Sequence, residues 1–499
     1  MEVFESILNS IDNVVWGPAL IVLILATGIL LTWKTKGIQF KKLGRALKSI
    51  MMKSSGEEGE VSSFGALCTA LSATIGTGNI VGVATAVASG GPGALFWMWV
   101  AAFLGIATKY AECMLAVNYR EVSADGHVLG GPFLTIEKGM GKKWKWLAVC
   151  FAVFAAMAGL LGIGTMTQIN GITNAVQGVF DPGKANVAVT IFGNNVTWSV
   201  VIAGAIVTLC AALVIIGGIK RISRVATFIV PFMAALYLVI GIFVILFNLS
   251  SVTAAFQEIF RDAFGARAIS GGIVGTLIIS MQKGIARGIF SNEAGLGSAP
   301  IAASAAKVEE PVAQGLVSMT GTFIDTIVVC TITGLAIIIA GMSGDGEVWG
   351  KIWGATAECG KLSISGGDLS TAAFVQLFQN VFGSSVSIEI FVRVLIMICL
   401  AFFAFTTILG WDYYAERSLE YLAGGRMKFV MVYRVLYIFA VFSGPYLSLN
   451  AVWTIADITN GLMAIPNIIS LIALSGVVAK MTEDYFNKYP KLDAIEPIN

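Results

Sequence analysis

The run Ser72-Ala73-Thr74-Ile75-Gly76-Thr77-Gly78-Asn79-Ile80 places two glycines and an asparagine in the middle of an apolar stretch covering 64–89. Two glycines within three residues cost roughly 1 kcal/mol each against alanine inside a helix. Irregular backbone at membrane depth is tolerated only where it lines a protein-enclosed cavity. The stretch therefore reads as a broken helix that holds a ligand. Uncoiled amides at Gly76, Thr77 and Gly78, at the positive end of a half-helix, suit a carboxylate, and Asn79 can add an amide donor. The competing reading is a small-residue packing face, Gly78 and Gly82 four apart, with Asn79 making one interhelical hydrogen bond.

Half a chain later, Ser280-Met281-Gln282-Lys283-Gly284-Ile285-Ala286-Arg287-Gly288 interrupts a second apolar run. A break here would free carbonyls around Ser280 and Gly284 and, with the Gln282 side chain, receive ammonium protons. Lys283 and Arg287 are expected in the cytoplasmic half, facing an inner vestibule. With no arginine or acidic cluster to pair a net charge, the two breaks together suit a zwitterion. Met281, Phe403 and Phe405 are candidates for limiting its size.

A third stretch, Phe402-Phe403-Ala404-Phe405-Thr406-Thr407-Ile408-Leu409-Gly410, sets two adjacent hydroxyls in an aromatic helix. Either each bonds back to a carbonyl of its own helix, or Thr406 and Thr407 join carbonyls of the broken helix around a small hard cation such as sodium, which takes oxygen ligands. Thr165, Thr167, Gln168, Asn170 and Asn174 give another span a polar stripe, with Gln168 nearest the membrane middle. Asp325, Asp457 and Asn460 are costly polar groups inside spans. Lys109 and Glu112, three apart, are expected to pair.

Several chemistries are absent from the sequence. No GxxxxGK[ST] occurs, so ATP is not argued as the energy source. No HExxH or GxSxG lies in a span. Six of the seven cysteines sit in apolar runs, without disulfide or metal spacing. The single histidine, His127, has no second ligand beside it. No filter or charged ring of a channel appears. A net charge of +2 argues against a nucleic-acid partner.

The elements that must position these residues follow from composition. The 499 residues are 57% hydrophobic and 12% charged, with mean hydropathy +0.83, whereas soluble domains carry about 25% charged residues. Apolar stretches near 20 residues match a helix crossing the hydrocarbon. The expectation is an all-α integral membrane protein of about 11 transmembrane helices: 13–33, 64–89, 93–117, 146–178, 197–217, 224–249, 269–298, 315–341, 390–412, 429–447 and 452–479.

The first loop, 34–63, holds Lys34, Lys36, Lys41, Lys42, Arg45, Lys48 and Lys53, which by the positive-inside rule makes it cytoplasmic. Residue 1 then lies outside and the C-terminus inside. Outer segments hold only Lys184, Arg261, Arg267, Lys351 and Lys361. The 341–389 segment becomes an extracellular loop, a lid or a surface cap. With 13–33 set aside as an extra N-terminal helix, ten spans remain. They divide into 64–249 and 269–479, five plus five, so the second set starts on the opposite side of the membrane as an inverted repeat does.

The run Gly90-Gly91-Pro92-Gly93-Ala94-Leu95-Phe96-Trp97-Met98-Trp99-Val100-Ala101-Ala102-Phe103-Leu104-Gly105 is very similar to the signature of the sodium:alanine symporters, the alanine or glycine:cation symporter family. The Gly76-Thr77-Gly78-Asn79 break and Ser291-Asn292-Glu293-Ala294-Gly295-Leu296-Gly297-Ser298-Ala299-Pro300 also resemble it. The resemblance implies a leucine-transporter-like core of ten helices in the cell membrane, plus the N-terminal one. It further implies sodium-coupled import of alanine, or of glycine, by alternating access. By position it makes the Ser72, Ile75 and Phe403 carbonyls and the Thr406 and Thr407 hydroxyls sodium ligands, with substrate between Gly76–Asn79 and the break around Ser280–Gly284. The alternatives are a proton-coupled amino-acid transporter using Asp325 or Asp457, and a passive channel.

Overall fold

Long runs without charge can satisfy their backbone in lipid only by closing it into helices, and a computed structural model of the protein has that character. It describes residues 2–51, 58–191, 194–264, 272–342, 366–446 and 449–490. Among these, nine helices are long and apolar enough to cross a membrane, and the pair Ser63–Thr74 and Gly78–Gly90, bent by 50°, makes a tenth span. The helix Gly272–Asn292, which carries Lys283 and Arg287, is a further long helix packed among them. Large apolar side chains face outward, among them Val239, Phe228 and Phe439, while polar Asn79, Asp325, Glu112 and Glu293 are buried. That inversion is what lipid as solvent selects.

The expected 13–33 span is two helices, Glu2–Val15 and Pro18–Lys34, turned at Gly17. The expected 146–178 span is also two, Lys145–Leu161 and Met166–Phe180, separated at 162–165. That interruption was not anticipated. Two of its four positions are held to glycine by space, because a Cβ on Gly162 would stand 3.0 Å from the Ala158 carbonyl and one on Gly164 2.7 Å from Trp411 Cβ. The 390–412 span extends to Val386–Leu422, 37 residues. At 1.5 Å per residue it is about 55 Å long and projects well beyond a hydrocarbon core of about 30 Å.

The second break is not where the sequence placed it. Ser280 to Gly288 lie inside the continuous Gly272–Asn292 helix. The interruption comes at 293–298, where Glu293 (φ 56°), Gly295 (φ 90°) and Gly297 (φ 83°) take left-handed backbone before the short helix Ala299–Ser304. Gly284 and Gly288 are instead packing glycines. A Cβ on Gly284 would collide with the Ala94 carbonyl and stand 2.8 Å from Trp97 Cβ, so the glycine lets this helix cross Gly93–Asn118 closely.

Within the expected 341–389 loop, residues 343–365 lie outside the described residues. Gly366–Phe382 is a helix with Leu369, Ala373, Phe374, Leu377 and Phe378 buried. It packs on the broken span, where Ser370 donates to the Ile80 carbonyl at 2.8 Å. Two small antiparallel hairpins, 121–122 with 128–129 and 187–191 with 194–197, join helices outside the bundle.

Candidate functional site

The first break is built by its side chains as much as by its glycines. The helix Ser63–Thr74 ends with the Ile75 amide bonded to the Leu71 carbonyl at 2.8 Å. The amides that would close the next turns point elsewhere: Gly76 N–H to Asn79 Oδ1 at 2.9 Å and Thr77 N–H to Gln168 Oε1 at 3.1 Å. The Ser72 and Ala73 carbonyls thereby lose their usual partners. Gly76 is fixed by space, since a Cβ there would come within 2.5 Å of Thr407 Oγ1 and 3.0 Å of Gln168 Oε1.

The chain resumes at Gly78–Gly82 as a π-helical turn. It faces a second π-helical stretch, Phe323–Cys330, inside the 311–342 span. Such widened turns free backbone groups and recur at functional sites. Asn79 links the two stretches, donating to Asp325 Oδ1 at 2.6 Å. The other Asp325 oxygen accepts from Ser291 Oγ at 2.9 Å and Thr326 Oγ1 at 2.7 Å. This buried carboxylate is fully hydrogen-bonded, which is what makes its burial tolerable.

Thr407 lies across the break. Its hydroxyl is 3.0 Å from the Ser72 carbonyl, 3.4 Å from that of Ile75 and 3.0 Å from that of Phe403 on its own helix. One hydroxyl proton can satisfy only one of three carbonyls. Thr406 turns onto the Phe402 and Phe403 carbonyls of its own helix, both at 3.0 Å. Four of the five oxygens expected around a cation, the Thr407 hydroxyl and the Ser72, Ile75 and Phe403 carbonyls, thus lie together between the first break and the 386–422 helix, while the Thr406 hydroxyl stays on its own helix and 3.5 Å from Met233 Sδ. Uncharged oxygens with a surplus of lone pairs suit a small hard cation.

The region around 280–284 stands apart. Ser280 is buried with no partner for its hydroxyl, and its Cα lies 3.4 Å from where a Cβ on Gly90 would sit, at the far end of the broken span. Gln282 is half-buried on the same helix. Lys283 and Arg287 occupy the Gly90 side of the break, opposite to the expected vestibule. Arg287 pairs with Asp457 through both nitrogens, at 3.1 and 2.6 Å, over the stacked rings of Phe290 and Trp453. Phe403 packs on Tyr237 at 5.3 Å, in the buried cluster that also holds Ile75 and Ile80.

The true second break meets the first through Ser291, whose Cα lies 3.2 Å from where a Cβ on Gly78 would sit. Here the Ala294 amide turns to Asn292 Oδ1 at 2.9 Å and the Gly295 amide to Glu112 Oε2 at 3.3 Å, so the Phe290 and Ser291 carbonyls are released. Glu293 is buried between Trp411 Nε1 (2.7 Å) and Ser298 Oγ (2.6 Å). Glu112 accepts from Asn467 at 2.9 Å and stands 3.4 Å from Lys109. Ser291, Thr326, Glu293, Trp411 and Asn467 were missed by sequence reasoning. A glutamate followed by Gly295 and Gly297 in an apolar run was the available signal for the break. Ser291 and Glu293 stand in the run that carries the family resemblance, where no role was assigned to them, and nothing in the sequence marked Thr326. A cleft lined by Asn170, Gly171, Asn174, Asp368, Arg393 and Trp453 leads toward the Gly171–Thr77 contact.

A bundle with paired interrupted helices and a buried polar centre is a secondary membrane transporter and not an enzyme. The chain belongs to the sodium:alanine symporter family, whose family model matches residues 1–496. It is 47% identical to an uncharacterized transporter of Haemophilus influenzae, covering 97% of this chain and 96% of the relative. It is 45% identical to the sodium/alanine symporter AgcS of Methanococcus maripaludis, covering 98% and 99%. Among solved structures it is similar to MhsT in complex with L-phenylalanine, with TM-score 0.50 and 14% identity over 86% of this chain and 99% of that one. The fold is therefore the leucine-transporter-like 5+5 inverted repeat, in a multi-pass membrane protein of the amino-acid symporter class.

Proposed function

We propose that the protein is a sodium-coupled symporter that imports small neutral amino acids, alanine or glycine, across the cell membrane by alternating access. The observation that carries this reading is Thr407, one hydroxyl set among the Ser72, Ile75 and Phe403 carbonyls. A sodium ion there, with Thr406 beside Phe403, ties the broken helix to the 386–422 helix. Ion binding thereby orders the backbone that receives the substrate. The sodium/alanine activity named for the Methanococcus relative, at 45% identity along the whole chain, supports the same ion and substrate. The repeats are taken as 64–249 and 269–479, with 13–33 outside the core, residue 1 outside the cell and the C-terminus inside.

For the substrate, the Gly76 and Thr77 amides are the carboxylate donors: Asn79 Oδ1 and Gln168 Oε1 hold them with the same kind of oxygen a carboxylate offers. Gly78 keeps room for Ser291 beside them. The ammonium goes to the released Phe290 and Ser291 carbonyls, in place of the Ser280, Gln282 and Gly284 group. Gly76 and Gly171 have no space for an added methyl, which favours a small side chain. Uptake of labelled alanine into proteoliposomes, with sodium replaced by choline at fixed pH, tests the proposal. Uphill uptake that stops in choline is expected. Uptake that persists in choline and follows a pH gradient would replace sodium by the proton.

A further inference from the structure

The helix Pro18–Lys34 presents Val22, Ile29 and Trp33 outward, Trp33 being 74% exposed. The chain then turns through Lys36 (φ 57°) and Gly37 (φ 73°) into the short helices Ile38–Lys41 and Leu43–Ser49. Phe40, 70% exposed, stacks at 5.8 Å on Phe103, itself on the outer face of the 93–118 helix. Aromatic side chains left bare at the end of a spanning helix mark the membrane interface, where the ring meets acyl chains. The turn therefore lies at headgroup depth.

Between this turn and the helix Ser475–Lys488 runs a groove lined by Lys34, Lys36, Lys41, Lys42, Thr482 and Phe486. Its one carboxylate, Glu483, bonds Lys36 at 2.9 Å. The Lys42 ammonium sits over the Phe486 ring at 4.4 Å and that of Lys34 over Trp33 at 5.3 Å, positions that leave their N–H donors free. Among the described residues, no salt bridge joins Lys34, Lys41 or Lys42 to a carboxylate. Four cations around one carboxylate call for an anion. The exposed rings of Trp33 and Phe40, each directly before a lysine of the groove (Lys34 and Lys41), are the apolar strip beside these cations. Basic grooves of this kind at a membrane surface recognise anionic headgroups, each Lys contributing about fivefold in affinity.

We propose that this groove holds one anionic phospholipid of the adjoining leaflet, its phosphodiester on Lys34, Lys41 and Lys42 and its acyl chains along Trp33 and Phe40. The apolar strip is what selects a lipid over a free phosphate. The assignment is independent of the substrate reading, because the groove lies at the bundle's edge, away from both breaks.

The test uses full-length protein in phosphatidylcholine nanodiscs containing a minority of phosphatidylglycerol, with the phosphatidylglycerol retained per protein read by native mass spectrometry. Wild type is expected to enrich phosphatidylglycerol over the bulk. The variant Lys34→Gln/Lys41→Gln/Lys42→Gln should lose that enrichment, affinity falling about fivefold per lysine. Trp33→Ala/Phe40→Ala should weaken it with the lysines intact. Lys142→Gln/Lys143→Gln, an exposed lysine pair outside the groove, should leave it unchanged. Glycerol 3-phosphate should not compete. Thermal midpoints in phosphatidylcholine alone check folding, and Lys41→Gln, a single exposed change, serves if the triple variant fails to fold. Undiminished enrichment in the lysine variants overturns the site. Equal loss in Lys142→Gln/Lys143→Gln would make it diffuse surface charge, and displacement by glycerol 3-phosphate would make it a free-anion site.

Discussion

Thr406 and Thr407 are adjacent and chemically identical, yet their surroundings differ. Thr407 reaches across to the Ser72 and Ile75 carbonyls, while Thr406 back-bonds within its helix. Thr407→Val should raise the sodium concentration for half-maximal uptake by about tenfold or more, as removing a group that builds an ion site usually does. Thr406→Val should do so less. Sodium titrations of alanine uptake measure both. Wild-type sodium dependence in Thr407→Val would mean that the hydroxyl only ties two helices together.

At the scale of elements, glycine placement separates packing from binding. Gly284 lets the 272–292 helix lie against the Ala94 carbonyl, so Gly284→Val should destabilise the protein by about 1–3 kcal/mol through overpacking. A lowered thermal midpoint in detergent is the expected reading. A variant of normal stability with lost alanine binding would return Gly284 to the substrate site.

The hairpin at 121–129 makes a second element-scale case. His127 sits between Glu420 (2.8 Å) and Glu60 (3.1 Å), and the hydrogen bonds to Glu420 and then Glu60 raise its pKa from 6.5 to about 9. A raised histidine contributes stability that is fully present below the unfolded pKa and lost as pH rises through the folded one. The thermal midpoint should therefore fall between about pH 6.5 and 9, and His127→Gln should flatten that slope. The same slope in both proteins would show that His127 does not link the hairpin to the 386–422 helix.

For the whole molecule, Arg120 ties together the side that holds residues 58–63 and the 121–129 hairpin. Arg120 donates to the carbonyls of Ser304 (2.9 Å), Ala306 (2.6 Å), Glu58 (3.1 Å) and Val308 (3.3 Å). The Glu60 amide bonds the Ala305 carbonyl at 2.9 Å. One guanidinium thus ties the entry to the first broken span to the exit from the second. In the orientation proposed from the charge asymmetry, this side is the cytoplasmic one. In a cysteine-free background, an impermeant thiol reagent added to intact cells should label a cysteine at Lys184 and spare one at Asp125. The reverse pattern would invert the orientation.

Hydrophobic run length and the paired glycines at Gly76 and Gly78, properties of the chain itself, were enough for most of the spanning helices and for the first break at Gly76–Asn79. The solvent acts on each run independently, so local sequence suffices. Gln168 and Asp325 could be picked out because buried polar groups are costly wherever they fall. Their partners could not, because the Thr77–Gln168 and Asn79–Asp325 bonds join residues 91 and 246 positions apart. The second break needed the tertiary structure for the same reason. Gly284 and Gly288 look like helix breakers in isolation, but a glycine inside a helix can equally serve a close crossing, and only the Ala94 backbone against it decides which. At 293–298 the strained turn persists because Glu112, Asn292 and Asn467, from three separate helices, supply the hydrogen bonds its backbone gives up.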